Sequence, residues 1–129
     1  MSGSNLGRAA RFLLPVLVGL LGAGASPGNL QRQTEFGIEL ARKGLWQEAI
    51  FRWKRSLAIN PYSAILHNNL AVAYETLGRY DEAAREYERA LELGRNRYEE
   101  IRENYESFMA FYSVYRESRP EEKEQEQDG

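Results

Sequence analysis

The chain of 129 residues has no cysteine and a single histidine, His67. Without cysteine there is no disulfide, no thiolate nucleophile, no Cys-based zinc site and no lipid attachment of the bacterial lipoprotein kind. General acid–base work needs partners within hydrogen-bond reach, and no paired acid accompanies His67 at metal-ligand spacing. It reads as a structural or surface residue. Charge of one sign is also lacking: 17 Lys and Arg stand against 19 Asp and Glu, for a formal net charge of -2. The clustered basic excess of a nucleic-acid binder is therefore missing. The glycines of "VGLLGAGA", residues 18–25, have neither the lysine nor the flanking strand that a phosphate loop requires. Glu99 with Glu100, and Glu121 with Glu122, read as solvated charge rather than as carboxylate pairs for catalysis. The sequence thus assigns no catalytic residue, no cofactor and no metal ligand.

A long apolar run is likewise absent. The longest, "FLLPVLVGLL" from Phe12 to Leu21, is shorter than the roughly 20 residues that span a bilayer, and Pro15 and Gly19 weaken it as a helix. Arg8 and Arg11 precede it with no acid nearby, and Ala23-Gly24-Ala25 follows it. A basic start, an apolar run and an A-x-A site form the pattern of a secretory signal peptide, with cleavage before Ser26. Cleavage would take the formal charge from -2 to -4. The expectation is export to the periplasm or cell envelope, with residues 1–25 as signal peptide. The alternative is an uncleaved N-terminal membrane anchor, with membrane association through residues 12–25. Residues 26–29 read as a linker.

What the sequence has is periodicity. Setting Leu30–Ser63 above Ala64–Arg97, a 34-residue offset, superimposes Gly44 on Gly78, Glu48 on Glu82, Ala49 on Ala83, Arg55 on Arg89 and Leu57 on Leu91. Other positions keep their size class: Gly37 with Ala71, Trp46 with Tyr80, Trp53 with Tyr87, Ser56 with Ala90, Ile59 with Leu93. Small residues let two antiparallel helices approach, and large ones fill the space beside them. Gly44 and Gly78 suit the left-handed residue that ends a helix. Asn60-Pro61 stops the second helix of the first unit. Each helix pair has an apolar side that it cannot cover alone, so the units must stack. A fifth helix over 98–118 carries Tyr98, Ile101, Tyr105, Phe108, Tyr112 and Tyr115 as one apolar stripe, read as a cap on the second unit. Met109, Phe111 and Val114 lie off that stripe. Residues 119–129 are charged, lack apolar side chains and read as a disordered tail.

The 34-residue units over 30–63 and 64–97 resemble tetratricopeptide repeats. The second has Leu70, Ala71, Tyr74, Gly78, Tyr80, Ala83, Tyr87 and Ala90 at the signature positions. The first has Phe36, Gly37, Leu40, Gly44, Trp46, Ala49, Trp53, Ser56 and Pro61. The first departs with Ser56 in place of Ala, and the second has Arg95 where the closing Pro is usual. The resemblance implies an all-α fold, two helix-turn-helix units stacked as a short solenoid with a C-terminal capping helix.

It also implies a non-catalytic protein-binding scaffold or adaptor of small bacterial envelope type, assisting assembly or stabilisation of a larger complex. The alternative is a permanent structural subunit of a membrane complex, anchored by the N-terminal segment. In the family, first helices line a concave groove, which maps onto Gln31, Thr34, Ile38, Ala41 and Arg42, and onto Ile65, Asn68, Val72, Glu75 and Thr76. The Lys, Arg and Asn set with which chaperone-binding members hold a C-terminal carboxylate is missing, Thr34 and Ile38 standing at two of its places. The groove set Thr34, Ile38, Arg42, Ile65, Asn68, Val72 and Glu75 suits an amphipathic helix or an extended segment. Phe51, Met109, Phe111 and Val114 form a candidate second surface, and the last three a candidate homodimer contact.

Overall fold

The computed structural model describes residues 27–94 and 97–119. The signal-peptide or anchor assignment for residues 1–25 and the tail assignment for residues 120–129 lie outside them. Five helices follow in order: α1 Pro27–Arg42, α2 Trp46–Ile59, α3 Ala64–Thr76, α4 Tyr80–Gly94 and α5 Glu99–Glu117. The described residues contain no strand. No described helix is long and apolar enough to cross a membrane. The helix α1 begins at Pro27, inside the stretch that the sequence reading gave to a linker. Proline is tolerated in the first turn because its missing N–H has no intrahelical partner to lose there.

The turns within the two units are built alike. Gly44 has φ 78° and Gly78 φ 73°, the left-handed region where a Cβ is penalised. At the first turn the Leu45 N–H donates to the Leu40 carbonyl and the Gly44 N–H to Ala41. At the second, Arg79 donates to Tyr74 and Gly78 to Glu75. Both are Schellman closures, which satisfy carbonyls that a helix end would leave unpaired. Between the units, Asn60 Oδ1 accepts from the Tyr62 N–H at 3.2 Å. Ser63 then caps α3, its Oγ accepting from the Leu66 N–H.

Within each unit the helices pair closely, α1 with α2 and α3 with α4; α2 then packs on α3, and α5 rests chiefly on α4 while touching α3. The first pair is closest at Gly37. A Cβ at that position would lie 2.7 Å from Trp53 Cδ1 and nearer still to Nε1. The indole, 0% exposed, donates to the Thr34 carbonyl at 3.1 Å. In the second unit the equivalent places hold Ala71 and Tyr87, both buried. The larger ring faces the smaller helix residue and the smaller ring the larger one, so the two pairs fill comparable space by different means.

One core runs through both units and into α5. It includes Ile38, Ala49, Trp53, Leu70, Ala71, Ala83, Tyr87, Phe108 and Tyr112. Phe108 stands 5.0 Å from the Tyr87 ring and 5.2 Å from Tyr112. The Tyr112 hydroxyl donates to Asp81 Oδ1 at 2.6 Å. Of the apolar stripe, Ile101, Phe108 and Tyr112 are buried and Tyr98, Tyr105 and Tyr115 half-buried.

The Gly37–Trp53 contact makes a two-step prediction. Gly37→Ala should destabilise by about 1–3 kcal/mol through overpacking, despite the helix propensity gained. Adding Trp53→Tyr, which recreates the pairing of the second unit, should recover most of the loss. Urea unfolding of the three chains measures both; a double variant no more stable than Gly37→Ala alone would refute the compensation.

Candidate functional site

The structure places most of the expected groove inside the protein. Thr34 is 1% exposed, Ile38 5%, Asn68 0% and Val72 1%. These four are a correction to the groove assignment: they are core or buried polar residues, not a surface open to a partner. The cause is α5. Its Asn104 Nδ2 donates to Asn68 Oδ1 at 2.9 Å, and its Phe108 and Tyr112 join the core that holds Ile38 and Val72. Thr34 is turned inward as well, its hydroxyl bonded to the Leu30 carbonyl at 2.9 Å with Ser56 Oγ at 3.5 Å. Of the rest, Arg42 is exposed, and Ile65 and Glu75 are half-buried. Glu75 accepts from the Tyr87 hydroxyl at 2.8 Å. Burial, with the Glu75 charge and hydrogen bond, pushes that phenol far above its usual range.

The second candidate surface is divided. Phe51 is 57% exposed on α2, whereas Phe111 and Val114 are 37% and 64% exposed on α5. Met109 is half-buried against the core. Phe111 lies 4.9 Å from the Tyr80 ring and 5.9 Å from Tyr115. It is thus the rim of the α4–α5 aromatic packing, and Val114 projects beyond it.

Phe51 belongs to something larger. Phe36, Leu40, Gln47, Glu48, Phe51 and Arg52 line an open depression of about 410 Å³ between α1 and α2. Phe36 is 42% exposed. Arg52 crosses the site: Nη1 donates to Gln33 Oε1 at 3.1 Å, and the guanidinium lies 4.9 Å from the Phe36 ring centroid and 5.9 Å from that of Phe51. Arg55 approaches Phe51 to 5.8 Å. Stacked guanidinium groups are weakly hydrated cations held over an apolar face. The sequence reading noted Phe51 but did not join it to Phe36 and Leu40. The signal was present in the repeat alignment. Leu70 and Tyr74, the counterparts of Phe36 and Leu40, are 1% and 3% exposed on α3, which has α2 packed on it. Among the described residues no helix precedes α1 to do the same.

His67 has a definite place. It sits on α3, with Nδ1 2.6 Å from Glu86 Oε2 on α4 and Nε2 2.9 Å from the Pro61 carbonyl in the turn between the units. Gln33 and Arg52 occupy the same two repeat positions in the first unit, so this polar bridge recurs with different chemistry. Both partners of the ring are oxygens that accept, so the doubly protonated imidazolium, with two N–H donors, satisfies both. Burial opposes that charge, but the hydrogen bonds to Glu86 and Pro61 and the Glu86 charge outweigh burial and the nearby Arg89, raising the pKa above its usual 6.5. No group of three His, Asp or Glu side chains among the described residues is placed to hold a metal ion.

A raised folded pKa contributes stability that is complete below the unfolded value and is lost as pH rises through the folded one. Thermal melts should therefore show the midpoint falling as pH is raised from below 6.5 through neutral into the mildly alkaline range. His67→Gln should flatten that dependence; an unchanged slope would remove His67 as its source.

A family model described as tetratricopeptide repeat matches residues 64–97. No curated protein matches the sequence. The matched segment comprises α3, α4 and the residues that lead to α5, and α1 with α2 repeats its turn closures and its small-against-large helix contact. Residues 64–97 thus match a tetratricopeptide repeat, the second of two helix pairs built alike in an all-α stack.

Proposed function

We propose that this protein is an adaptor that binds another protein at the α1–α2 end of its solenoid and assists the assembly or stabilisation of a larger complex. Tetratricopeptide repeats are in general protein-interaction scaffolds, and function on such a scaffold is decided by the site rather than the fold. The observation that carries the reading is the depression at Phe36, Leu40 and Phe51. Phe36 is 42% exposed and Leu40 half-buried, where their equivalents one repeat later, Leu70 and Tyr74, are buried, and Phe51 is 57% exposed beside them. Single exposed apolar residues are ordinary on a surface, but two phenylalanines flanking one apolar concavity point to a contact.

The protein acts in the cell envelope or at a membrane surface. The support is the arrangement of Arg8, Arg11, the run Phe12–Leu21 and Ala23-Gly24-Ala25. A chain processed before Ser26 would be an exported adaptor. One that keeps residues 1–25 would be tethered, as expected of a structural subunit in a membrane complex.

The test uses full-length protein tagged at its C-terminus, recovered from native membranes and soluble extract. Its N-terminal sequence and intact mass should show Ser26 as the first residue, and retention of Met1 would replace export with anchoring. Phe36→Ser with Phe51→Ser should abolish capture of the partner with helicity unchanged, since both side chains are largely solvated. Ile38→Asp with Val72→Asp should instead unfold the chain, because a buried unpaired charge costs more than the net stability of a small domain. Partner capture undiminished by the double Phe variant would end the proposal for this surface.

A further inference from the structure

We infer that the α1–α2 depression receives an acidic amphipathic helix of a partner protein, seated on α1 as α2 is seated on α3. The inference rests on the adaptor reading above and specifies the chemistry of its partner.

The shape of the occupant follows from the repeat. One unit along, the side of α3 that bears Leu66, Leu70, Ala73 and Tyr74 is fully buried in a stack where α2 packs on α3. At the matching places α1 carries Arg32, Phe36, Glu39 and Leu40. Phe36 and Leu40 keep the apolar type, whereas Arg32 and Glu39 are charged. That surface holds a helix by a short apolar contact with a polar frame, weaker than the continuous apolar face inside the solenoid. Helix-in-groove recognition has this form, with anchors at successive turns.

The charge of the occupant follows from an asymmetry that the near-neutral total conceals. Residues 27–63 carry six basic and three acidic side chains, whereas residues 64–94 carry three basic and six acidic. Glu48 and Arg52 line the depression; further charges on its two segments are Arg32 and Glu39 on α1, Lys43 in the turn after it and Arg55 on α2. Arg52 and Arg55 are already stacked on the phenylalanine rings, so a carboxylate beside an apolar anchor would meet a guanidinium without further ordering of that side chain. Such complementarity speeds encounter and sets partner choice. By charge, the chain's own first 26 residues do not complement the site, since they hold Arg8 and Arg11 and no acid.

The test uses the full chain and two fluorescent amphipathic peptides of about 15 residues, long enough for partial helicity. They share Leu at i, i+3, i+4 and i+7; one is flanked by Glu and the other by Lys. Anisotropy titrations at low salt should give at least tenfold tighter binding of the Glu peptide, weakening as salt is raised. Phe51→Ser should cost the Glu peptide tenfold or more, Arg55→Glu should erase its advantage over the Lys peptide, and Val114→Ser on the distant α5 should change neither. Circular dichroism confirms that each variant is folded.

Equal binding of the two peptides, or Glu-peptide binding indifferent to Phe51→Ser, would overturn the inference. A photo-crosslinker at position 51 separates this from failure of the adaptor reading. Trapping of a second copy of this chain, read as doubled mass, makes self-association the use of the site and overturns the acidic helix. A trapped foreign protein whose contact segment is not an acidic helix overturns the inference and leaves the adaptor standing. No trapped protein together with no peptide binding overturns both.

Discussion

Everything in this solenoid depends on how near the two helices of a unit can come. At the first unit the limit is set by Gly37 beneath the Trp53 indole, with a hydrogen bond from the ring to the Thr34 carbonyl fixing its orientation. Side chains at such a crossing determine the interaxial distance, and the interior is packed too densely to absorb an added methyl without displacement. Once the pair is set, its second helix is presented at a fixed place to the next unit. The second unit reaches an equivalent result with Ala71 and Tyr87. The ring changes, the small residue changes in the opposite sense, and the architecture is kept.

The two ends of the stack are finished differently. At the C-terminal end α5 supplies an aromatic layer, Phe108 and Tyr112 on Tyr87, with the Tyr112 hydroxyl fixed by Asp81. It also brings Asn104 to Asn68 in the interior. A buried amide is retained at low cost only when its hydrogen bonds are made, so this contact favours one register of α5 on α3 over others. The cap covers Asn68, part of the surface where a concave groove was expected. At the other end, among the described residues, Phe36 and Phe51 are exposed beneath the guanidinium groups of Arg52 and Arg55.

Much of this was legible before any coordinates. The 34-residue offset gave the helix pairs, and Gly44 and Gly78 gave the turns, because a left-handed closing residue is a local requirement that one side chain type meets best. The stripe on α5 was legible for the same reason, since helical periodicity is a local property. The groove was not. Thr34, Ile38, Asn68 and Val72 look like mixed, partner-ready positions when read along one helix, and their burial is decided by the helices packed on them, α2 against Thr34 and α5 against Asn68. Asn104 gave no signal at all, because a polar residue beside a stripe reads as solvated unless its buried acceptor is known.

Sequence alone determined the class of fold, the length of the repeat, the placing of its turns and the poverty of its catalytic inventory. These are matters of residue type and spacing over a few turns of helix. Tertiary structure decided which apolar residues are core and which are surface. Leu70 and Phe36 hold the same position in their repeats, yet one is 1% and the other 42% exposed. Exposure depends on whether another helix is packed there, and no local pattern records that.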